Sequence, residues 1–342
     1  MTYYQKTEMK FRSIFSAIIT LIFCISWHMP IRFLSATAEV TAVSKAECVM
    51  EVNSRRVLYE EHGDLRLPMA STTKILTCIT VLELCENLQK KVVIPEKAVG
   101  IEGSSVYLKA GDFYTIEELL YGLMLRSGND CATALALSCC SSMEDFVYRM
   151  NLTAQKAGAF SSNFENPHGL PSSKHYTTSH DLALITAYAM QNSTFREIVS
   201  TKYYQPRQWK NKNKLLSTYD GAIGVKTGYT KEAGRCLVSA AKHGDMTLVC
   251  VVLGCPSTYE RTTTLFDDAF ARYSLVRLLG GNEQICGGVS RKDIYYPLLK
   301  EEKEYVSIQT TPYQSKKKQE IVGQFEIYLA KRLIFFGNLY KL

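Results

Sequence analysis

The sequence of 342 residues lacks the spacings that mark several common kinds of site. It has 11 cysteines and 6 histidines but no Cys-x-x-Cys pair and no Cys/His cluster, so we predict no metal site and no cofactor. A Gly-x-Ser-x-Gly elbow is missing, which argues against a Ser-His-Asp hydrolase. In the stretch Gly221–Thr227, Val225 separates Gly224 from Lys226, so this segment is not a phosphate-binding loop.

The charge is not concentrated in the way a nucleic-acid-binding protein would require. The formal net charge is +7, but the basic residues are scattered, apart from Lys316–Lys318 and the N-terminal region. We therefore expect a solvated surface that tolerates anionic wall polymers, and no nucleic-acid partner. The hydrophobic content of 46% excludes a fibrous or mostly disordered chain and allows one enzymatic core with a smaller second domain.

The N-terminal segment has the order of a secretory signal peptide. Lys6, Lys10 and Arg12 precede an uncharged apolar run, Ser13–Met29, which is followed by small residues at Ala36–Ala38. Cleavage after this last triplet would define residues 1–38 as a signal peptide. The alternative is an uncleaved membrane anchor, since the run is near the lower limit of about 17 residues that span a bilayer. Either way, the rest of the chain is expected to work outside the cytoplasm.

The cysteines are more typical of buried hydrophobic residues than of a disulfide framework. Cys24 lies in the signal segment, and Cys78, Cys85, Cys139–Cys140 and Cys250 lie inside apolar runs. Unpaired cysteine is among the most frequently buried residue types.

Hydrophobic periodicity predicts an α+β protein. An alternating stretch, Glu47–Tyr59, is expected to form a hairpin with the turn at Glu61–Asp64. Helical spacing and capping signals, including a capping box at Thr115 and Glu118, predict helices over Ser71–Leu88, Ile116–Leu125, from Asn129 onward, Met143–Ala157, Ser179–Met190 and Thr262–Leu279. Strands are predicted at Cys236–Ala241 and Met246–Leu253 and, beyond a boundary at Gly280–Gly281, at Val306–Gln309 and Gly323–Leu329. Helices placed between terminal and central strands favour α+β over a doubly wound parallel sheet.

Ser71 and Lys74 place a hydroxyl and an amine three residues apart at the expected start of a helix, within side-chain reach of each other. A serine needs a base to become a nucleophile, and a buried lysine can be that base if its pKa is lowered enough. The spacing alone is weak evidence, because Ser239/Lys242 and Ser315/Lys318 share it and Ser71 could simply cap the helix.

Two further motifs strengthen the interpretation. Ser127-Gly128-Asn129 lies between two predicted helices, and Lys226-Thr227-Gly228 is expected just before a strand, where a cation and a hydroxyl could meet a carboxylate. Either motif alone could be an ordinary turn. The three in this order, each at an element boundary, form the set found in penicillin-binding proteins and class A β-lactamases.

Beyond these motifs, the sequence resembles the low-molecular-mass D-alanyl-D-alanine carboxypeptidases, peptidase family S11, over about Ala46 to Leu279. The segments that carry the resemblance are Leu67–Lys74, Gly103–Val106, Leu119–Asp130, Asn166–Leu170, His175–Thr178 and Gly224–Thr230.

The resemblance implies a β-lactamase/DD-peptidase-like fold, an antiparallel sheet covered by helices. It places the catalytic domain at residues 39–280 and a short β-rich domain at 281–342. Peptidoglycan stem peptides would be substrates, and β-lactams would be covalent inhibitors. In this family pattern Ser71 would attack the carbonyl between the two terminal D-alanines, and Lys74 would accept its proton. Ser127 and Asn129 would relay protons and hold the peptide. The substrate would be bound by Lys226, Thr227, Gly228, Tyr229 and Arg261. The backbone N–H groups of Ser71 and Tyr229 would form the oxyanion hole, while His168 is expected to be a turn residue near the cleft.

The sequence also departs from the family pattern. It ends at Leu342 without the amphipathic helix that members commonly use as an anchor, so both free export and association with the cytoplasmic-membrane surface stay open. A β-lactamase is an alternative, but the second motif is Ser-Gly-Asn rather than Ser-Asp-Asn, and no Glu-x-x-Leu-Asn follows to supply a deacylating carboxylate. A non-catalytic wall-binding relative is a further alternative, and it would be expected to have lost part of the constellation.

Overall fold

The computed structural model describes residues 44–313 and 320–342. The predicted signal peptide, residues 1–38, lies outside the described residues, and so does the Ser315/Lys318 pair. None of the helices in the described part of the chain is long and apolar enough to cross a membrane.

The described residues form eight α-helices and 16 strands. The helices are α1 (Lys74–Leu84), α2 (Ile116–Tyr121), α3 (Asn129–Cys139), α4 (Met143–Ala157), α5 (Ser179–Ala189), α6 (Ser193–Ser200), α7 (Leu215–Thr218) and α8 (Thr258–Arg272). The strands are β1 (Ala46–Glu51), β2 (Val57–Glu61), β3 (Lys91–Val93), β4 (Phe113–Thr115), β5 (Tyr203–Tyr204), β6 (Trp209–Lys210), β7 (Ala222–Thr230), β8 (Gly234–His243), β9 (Met246–Leu253), β10 (Tyr273–Leu279), β11 (Gln284–Ile285), β12 (Gly288–Val289), β13 (Ile294–Leu299), β14 (Val306–Pro312), β15 (Ile321–Leu329) and β16 (Arg332–Tyr340).

A five-stranded antiparallel sheet, in the order β2-β1-β9-β8-β7, forms the centre of the fold. Alternate residues of β9 enter different cores: Val249 and Val251 pack with the main helical core, while Cys250 and Val252 pack beneath α8. Because strand side chains alternate, a slip of one residue would exchange these two faces, and the hydrophobic pattern therefore fixes the register. The sheet with helices on both faces confirms the predicted α+β fold.

Helix α8 covers the outer face of the central sheet. It buries Phe266 completely and Leu265 almost completely. Full burial of a side chain of this size contributes about 1.5–3 kcal/mol to stability. The prediction that this helix continues to Leu279 is wrong, because the chain leaves the helix after Arg272 and β10 pairs with β13 instead.

The C-terminal region is rich in β-structure. It contains a second five-stranded sheet, β11-β12-β16-β15-β14, around a small core that includes Phe325, Ile327 and Leu339. The predicted strands at 306–309 and 323–329 lie within β14 and β15. Arg56, next to the β1–β2 turn, connects to this region through a 2.9 Å bond to Glu302 and a 2.6 Å bond to the carbonyl of Pro297.

Two further predicted boundaries, at β2 and at β7, are wrong. The hairpin turn precedes β2 rather than following it, since the buried Glu51 carboxylate accepts the backbone N–H groups of Asn53 at 3.1 Å and Ser54 at 2.7 Å. Lys226-Thr227-Gly228 lies inside β7 rather than before a strand, because β7 pairs with β8 as far as Thr230.

Candidate active site

The chain enters α1 through a 3₁₀ turn, Ala70–Thr73, and Ser71 lies in this turn rather than in the α-helix. Ala70 has the left-handed φ of 50°, a conformation that a non-glycine residue adopts only when its surroundings hold it there. Gly169 packs so closely that a Cβ at this position would lie 1.9 Å from the Ala70 carbonyl oxygen. The turn that presents Ser71 is therefore fixed by packing as well as by its own hydrogen bonds, such as Thr73 Oγ1 to the Ala70 carbonyl at 2.9 Å.

Lys74, the first residue of α1, has three polar partners and is fully buried. Its Nζ lies 2.9 Å from Ser71 Oγ, 2.7 Å from Asn129 Oδ1 and 2.5 Å from the carbonyl oxygen of His168. The last two partners can only accept hydrogen bonds, whereas a serine hydroxyl can also donate one. A neutral amine would satisfy both acceptors with its two N–H groups and direct its lone pair at Ser71.

Electrostatics favour this neutral amine. Burial lowers the pKa of Lys74 well below its usual value, and the positive charges of Lys226 and Lys212 lower it further. Removal from water disfavours a charged form, and neighbouring cations act in the same direction.

Asn129 occupies its predicted position at the start of α3. Its Nδ2 donates to the carbonyl of Glu102 at 2.5 Å, so its Oδ1 faces Lys74. Ser127 precedes it in a left-handed conformation with φ 66°, directly after a π-helical turn over Gly122–Arg126. Such turns interrupt the helical spacing and so reposition the residues that follow.

Asp130 organises the loop opposite these residues, a role that the sequence analysis did not assign. Its buried carboxylate accepts the Ser105 hydroxyl at 2.6 Å and the backbone N–H groups of Val106 and Leu108 at 3.0 and 3.1 Å. The one available signal was its position directly after the Ser-Gly-Asn motif.

Strand β7 carries the third motif along the other side of Ser71. A Cβ on Gly228 would lie 3.1 Å from the Ser71 backbone nitrogen, so a side chain here would press against the 3₁₀ turn. Lys226 is almost completely buried and donates to the Thr227 carbonyl at 2.8 Å. Burial, reinforced by the charge of Lys212, lowers the pKa of Lys226 to about 7.

These elements enclose a cleft of about 480 Å³, here called the Ser71 cleft. Its lining residues are Ser71, Gly103, Ser104, Ser127, Lys212, Thr227, Gly228, Tyr229, Arg235, Cys236, Thr258 and Tyr259. The structure thus brings Ser71, Ser127, Thr227, Gly228 and Tyr229 to one surface, with Lys74, Asn129 and Lys226 buried beside it.

Lys212 is a lining residue that sequence analysis missed. Its Nζ donates to Ser104 Oγ at 3.0 Å, and burial together with Arg126 lowers its pKa. No motif marked this lysine, because it comes from the loop before α7 and reaches the cleft through the tertiary fold.

Arg261 is not among the residues that line the cleft. Its Nε and Nη2 atoms donate to the two carboxylate oxygens of Glu47 at 2.8 and 2.7 Å, and Glu47 is fully buried. A buried carboxylate requires such a partner. We therefore leave Arg261 out of the proposed substrate-binding set.

Two buried histidines, His168 and His175, lie next to the site without lining the Ser71 cleft. Burial lowers the pKa of His168 to about 3 and that of His175 to about 4, so both rings are neutral at pH 7. His175 Nε2 lies 2.9 Å from Thr73 Oγ1, and its Nδ1 accepts the backbone N–H of Glu165 at 3.0 Å. His168 belongs to the turn near the cleft, as predicted, and contributes its carbonyl oxygen to Lys74.

A group of ligand-type side chains lies elsewhere in the described residues. The Cys48 sulfur and one ligand atom each from Glu60 and His180 lie within 4.8 Å of one another. The 2.7 Å contact between His180 Nδ1 and Glu60 Oε1 accounts for two of these three groups as a hydrogen-bonded pair.

The geometry places a serine hydroxyl 2.9 Å from the amine of a buried lysine, with the lysine-bearing strand β7 packed against the same turn. Residues 34–257 match the D-alanyl-D-alanine carboxypeptidase family, peptidase family S11, and the chain belongs to that family.

Curated relatives and solved structures agree with this assignment. The chain is 33% identical to the D-alanyl-D-alanine carboxypeptidase DacF of Bacillus subtilis, over 73% of this chain and 68% of that one. It is 37% identical to the D-alanyl-D-alanine carboxypeptidase of Streptomyces sp. strain K15, over 66% of this chain and 86% of that one. Penicillin binding protein 5 of Haemophilus influenzae superimposes with a TM-score of 0.74 at 25% identity, covering 87% of this chain and 96% of that one.

Proposed function

We propose that this chain removes the terminal D-alanine from peptidoglycan stem peptides through an acyl-enzyme on Ser71. The observation that carries the proposal is the set of contacts at Lys74, whose two carbonyl-type acceptors leave the amine lone pair for the Ser71 hydroxyl 2.9 Å away. Family membership supports the substrate class, since the relatives are D-alanyl-D-alanine carboxypeptidases.

In the acylation step, Lys74 accepts the hydroxyl proton as Ser71 Oγ attacks the carbonyl carbon between the two terminal D-alanines. The resulting oxyanion is received by the backbone N–H groups of Ser71 and Tyr229, each worth about 3 kcal/mol in comparable sites. The bond to the terminal alanine breaks, and its nitrogen takes the proton. Water then attacks the ester on Ser71, releasing the shortened stem and restoring the serine hydroxyl.

Ser127 and Asn129 assist this proton transfer in the proposed mechanism. Asn129 holds Lys74 in place through the 2.7 Å contact and is itself fixed by Glu102. Ser127 offers a hydroxyl at the cleft surface, where it can pass the proton toward the leaving nitrogen.

Lys226 and Thr227 bind the terminal carboxylate, with Gly228 allowing the peptide to approach the strand. A carboxylate placed beside Lys226 would favour its charged form and raise its pKa again. Lys212, on the same cleft, adds a second positive charge for this group.

Replacing Lys226 with Ala should remove the preference for substrates with a free carboxylate. We expect kcat/KM for a D-Ala-D-Ala peptide to fall about 100-fold, since losing one partner of a desolvated charge pair costs about 2–5 kcal/mol. The C-terminally amidated peptide, already a poor substrate, should lose less than about 3-fold. Steady-state release of the C-terminal residue from both peptides measures the effect.

The matched control is Lys231→Ala, which changes an exposed lysine just beyond β7. It should leave both substrates unaffected. If amidation costs the Lys226→Ala enzyme as much activity as it costs the wild type, Lys226 does not recognise the carboxylate.

We further propose that β-lactams acylate Ser71 and leave it slowly. Among the described residues, no aspartate or glutamate lines the Ser71 cleft, whereas class A β-lactamases use a glutamate to activate the deacylating water. We therefore do not favour a β-lactamase.

We propose export of the chain, with residues 1–38 removed, a catalytic domain over 39–280 and a β-rich domain over 281–342. The relatives' substrate, peptidoglycan, lies outside the cytoplasm and supports this location. N-terminal sequencing of the protein recovered from fractionated cells should give Glu39 as the first residue, with the protein either free outside the membrane or released from the wall by high salt. A protein that retains Met1–Ala38 and leaves the membrane only with detergent would overturn cleavage.

A further inference from the structure

Two helices of the catalytic region end at cysteine thiols that touch. Cys85 caps the C-terminal end of α1, and Cys139 is the last residue of α3. Their sulfur atoms lie 2.9 Å apart. A disulfide bond measures about 2.05 Å between its sulfurs, so bond formation requires an approach of less than about 1 Å.

The same two helices begin at the active site. Lys74 starts α1 and Asn129 starts α3, and their side chains meet at 2.7 Å. Both helices have 11 residues, a length of about 16 Å at 1.5 Å per residue. They therefore run side by side in one direction, joined by a hydrogen bond at the catalytic end and by the thiol pair at the far end.

The backbone beside both thiols is hydrogen-bonded, and the thiols are partly exposed. The backbone N–H of Cys85 donates to the Val81 carbonyl at 2.9 Å, and that of Cys140, the residue directly after α3, donates to the Ala136 carbonyl at 3.1 Å. Cys85 and Cys139 are half-buried at the edge of the main core, so an oxidant in solution can reach them.

The surroundings of the two thiols favour the thiolate form of Cys85. The hydrogen bond from the Cys139 thiol lowers the pKa of Cys85, and the positive charge of Lys90 lowers it further. The thiolate is the nucleophile in thiol–disulfide exchange, so Cys85 is the group that attacks first.

We propose that Cys85 and Cys139 form an intramolecular disulfide when the folded chain meets a disulfide oxidant. The Cys85 thiolate attacks one sulfur of the oxidant and expels the other as a thiolate, giving a mixed disulfide. Cys139 then loses its proton and attacks the Cys85 sulfur, releasing the second thiolate. The two cysteines lose two electrons and two protons, and the oxidant becomes two thiols.

The cross-link would tie the far ends of the helices that carry Lys74 and Asn129. Neither cysteine lines the Ser71 cleft, so the proposal is independent of the proposed catalytic function. The main effect of the cross-link is on stability. It closes the long chain segment between Cys85 and Cys139 into a loop and so reduces the conformational freedom of the unfolded chain.

The test uses the full chain, purified in reduced form and equilibrated with a mixture of reduced and oxidised glutathione. After alkylation of the remaining thiols and digestion, mass spectrometry should identify the linked peptides that contain Cys85 and Cys139. The oxidised protein should melt about 10 °C above the reduced one, as expected for a disulfide in a domain of this size.

The variants Cys85→Ser and Cys139→Ser should abolish the linked peptide and the dependence of melting on reductant, while Cys140→Ser should retain both. Alkylation of both thiols after oxidation, a stable glutathione adduct on Cys85, or a link to Cys140 would each overturn the proposal. Penicillin labelling of Ser71, measured on the same samples, reports the proposed catalytic function separately.

Discussion

Replacing Ser71 with Ala should abolish release of D-alanine, with kcat/KM reduced by at least about 10⁴-fold. The reaction has no other route to a covalent intermediate, and loss of a catalytic serine in a related type of mechanism costs on the order of 10⁶-fold. The side chain lies at the cleft surface, so its removal should leave folding intact. Quantifying D-alanine released from a stem pentapeptide, together with a thermal melt, measures both consequences.

The matched control is Ser239→Ala. Ser239 also precedes a lysine by three positions, but it is fully buried in β8 and its hydroxyl has no partner within the described residues. This variant should keep wild-type turnover. Activity that survives in Ser71→Ala, or disappears in Ser239→Ala, would move the nucleophile away from Ser71.

Replacing Lys74 with Met should slow acylation by about 10³-fold or more for every substrate, with or without a carboxylate. The Ser71 hydroxyl would lose its proton acceptor, and general-base catalysis contributes about 10²–10⁴-fold in enzymes. Methionine fills nearly the same volume but leaves Asn129 Oδ1 and the His168 carbonyl without their donor, so a thermal melt is the control for folding. Stopped-flow measurement of acylation by a chromogenic β-lactam isolates this step from deacylation.

The pH dependence of acylation in the wild type gives a second test of Lys74 as the base. Only the neutral amine can accept a proton, so acylation should fall as the pH is lowered through the pKa of Lys74, which burial holds well below its usual value. The Lys74→Met variant should lack this limb of the profile. An unchanged limb in the variant would show that another group is the base.

The sequence predicts the limits of a helix correctly where the residues at its ends form the cap themselves. Helix α4 has its predicted limits because Ser142 caps its start, accepting the Asp145 N–H at 3.1 Å, and Gly158 ends it with a φ of 93°. The capping box of Thr115 and Glu118 is likewise present at the start of α2. Both devices act within three or four residues and so can be recognised without the fold.

Boundaries set by distant partners could not be predicted in this way. The stretch Tyr273–Leu279 continues the apolar spacing of α8, but its backbone pairs with Ile294–Leu299, a strand that lies outside the window in which the spacing is read. Tertiary pairing overrides local preference in such a segment. A different cause acts at Gly122–Arg126, where a π-helical turn breaks the 3.6-residue spacing and ends α2 earlier than the periodicity indicates.

The same distinction between local signals and tertiary contacts applies to the residues of the candidate site. Ser71, Lys74 and Lys226 could be proposed from the sequence because each belongs to a short contiguous motif. Lys212 was missed because only the fold brings it to the cleft. Arg261 was assigned to the substrate from the family resemblance, and its partner Glu47 could not be recognised because it lies 214 positions earlier in the chain. A sequence alone does not show which arginine is already paired.

The most direct test of the central claim is mass spectrometry of the protein after exposure to a labelled penicillin. Intact mass should show a single long-lived adduct, and digestion should place it on the peptide that contains Ser71. The adduct should be absent from Ser71→Ala and present in Ser239→Ala. An adduct on any other residue, or no adduct on a folded wild-type protein, would contradict the assignment of Ser71 as the acylated nucleophile.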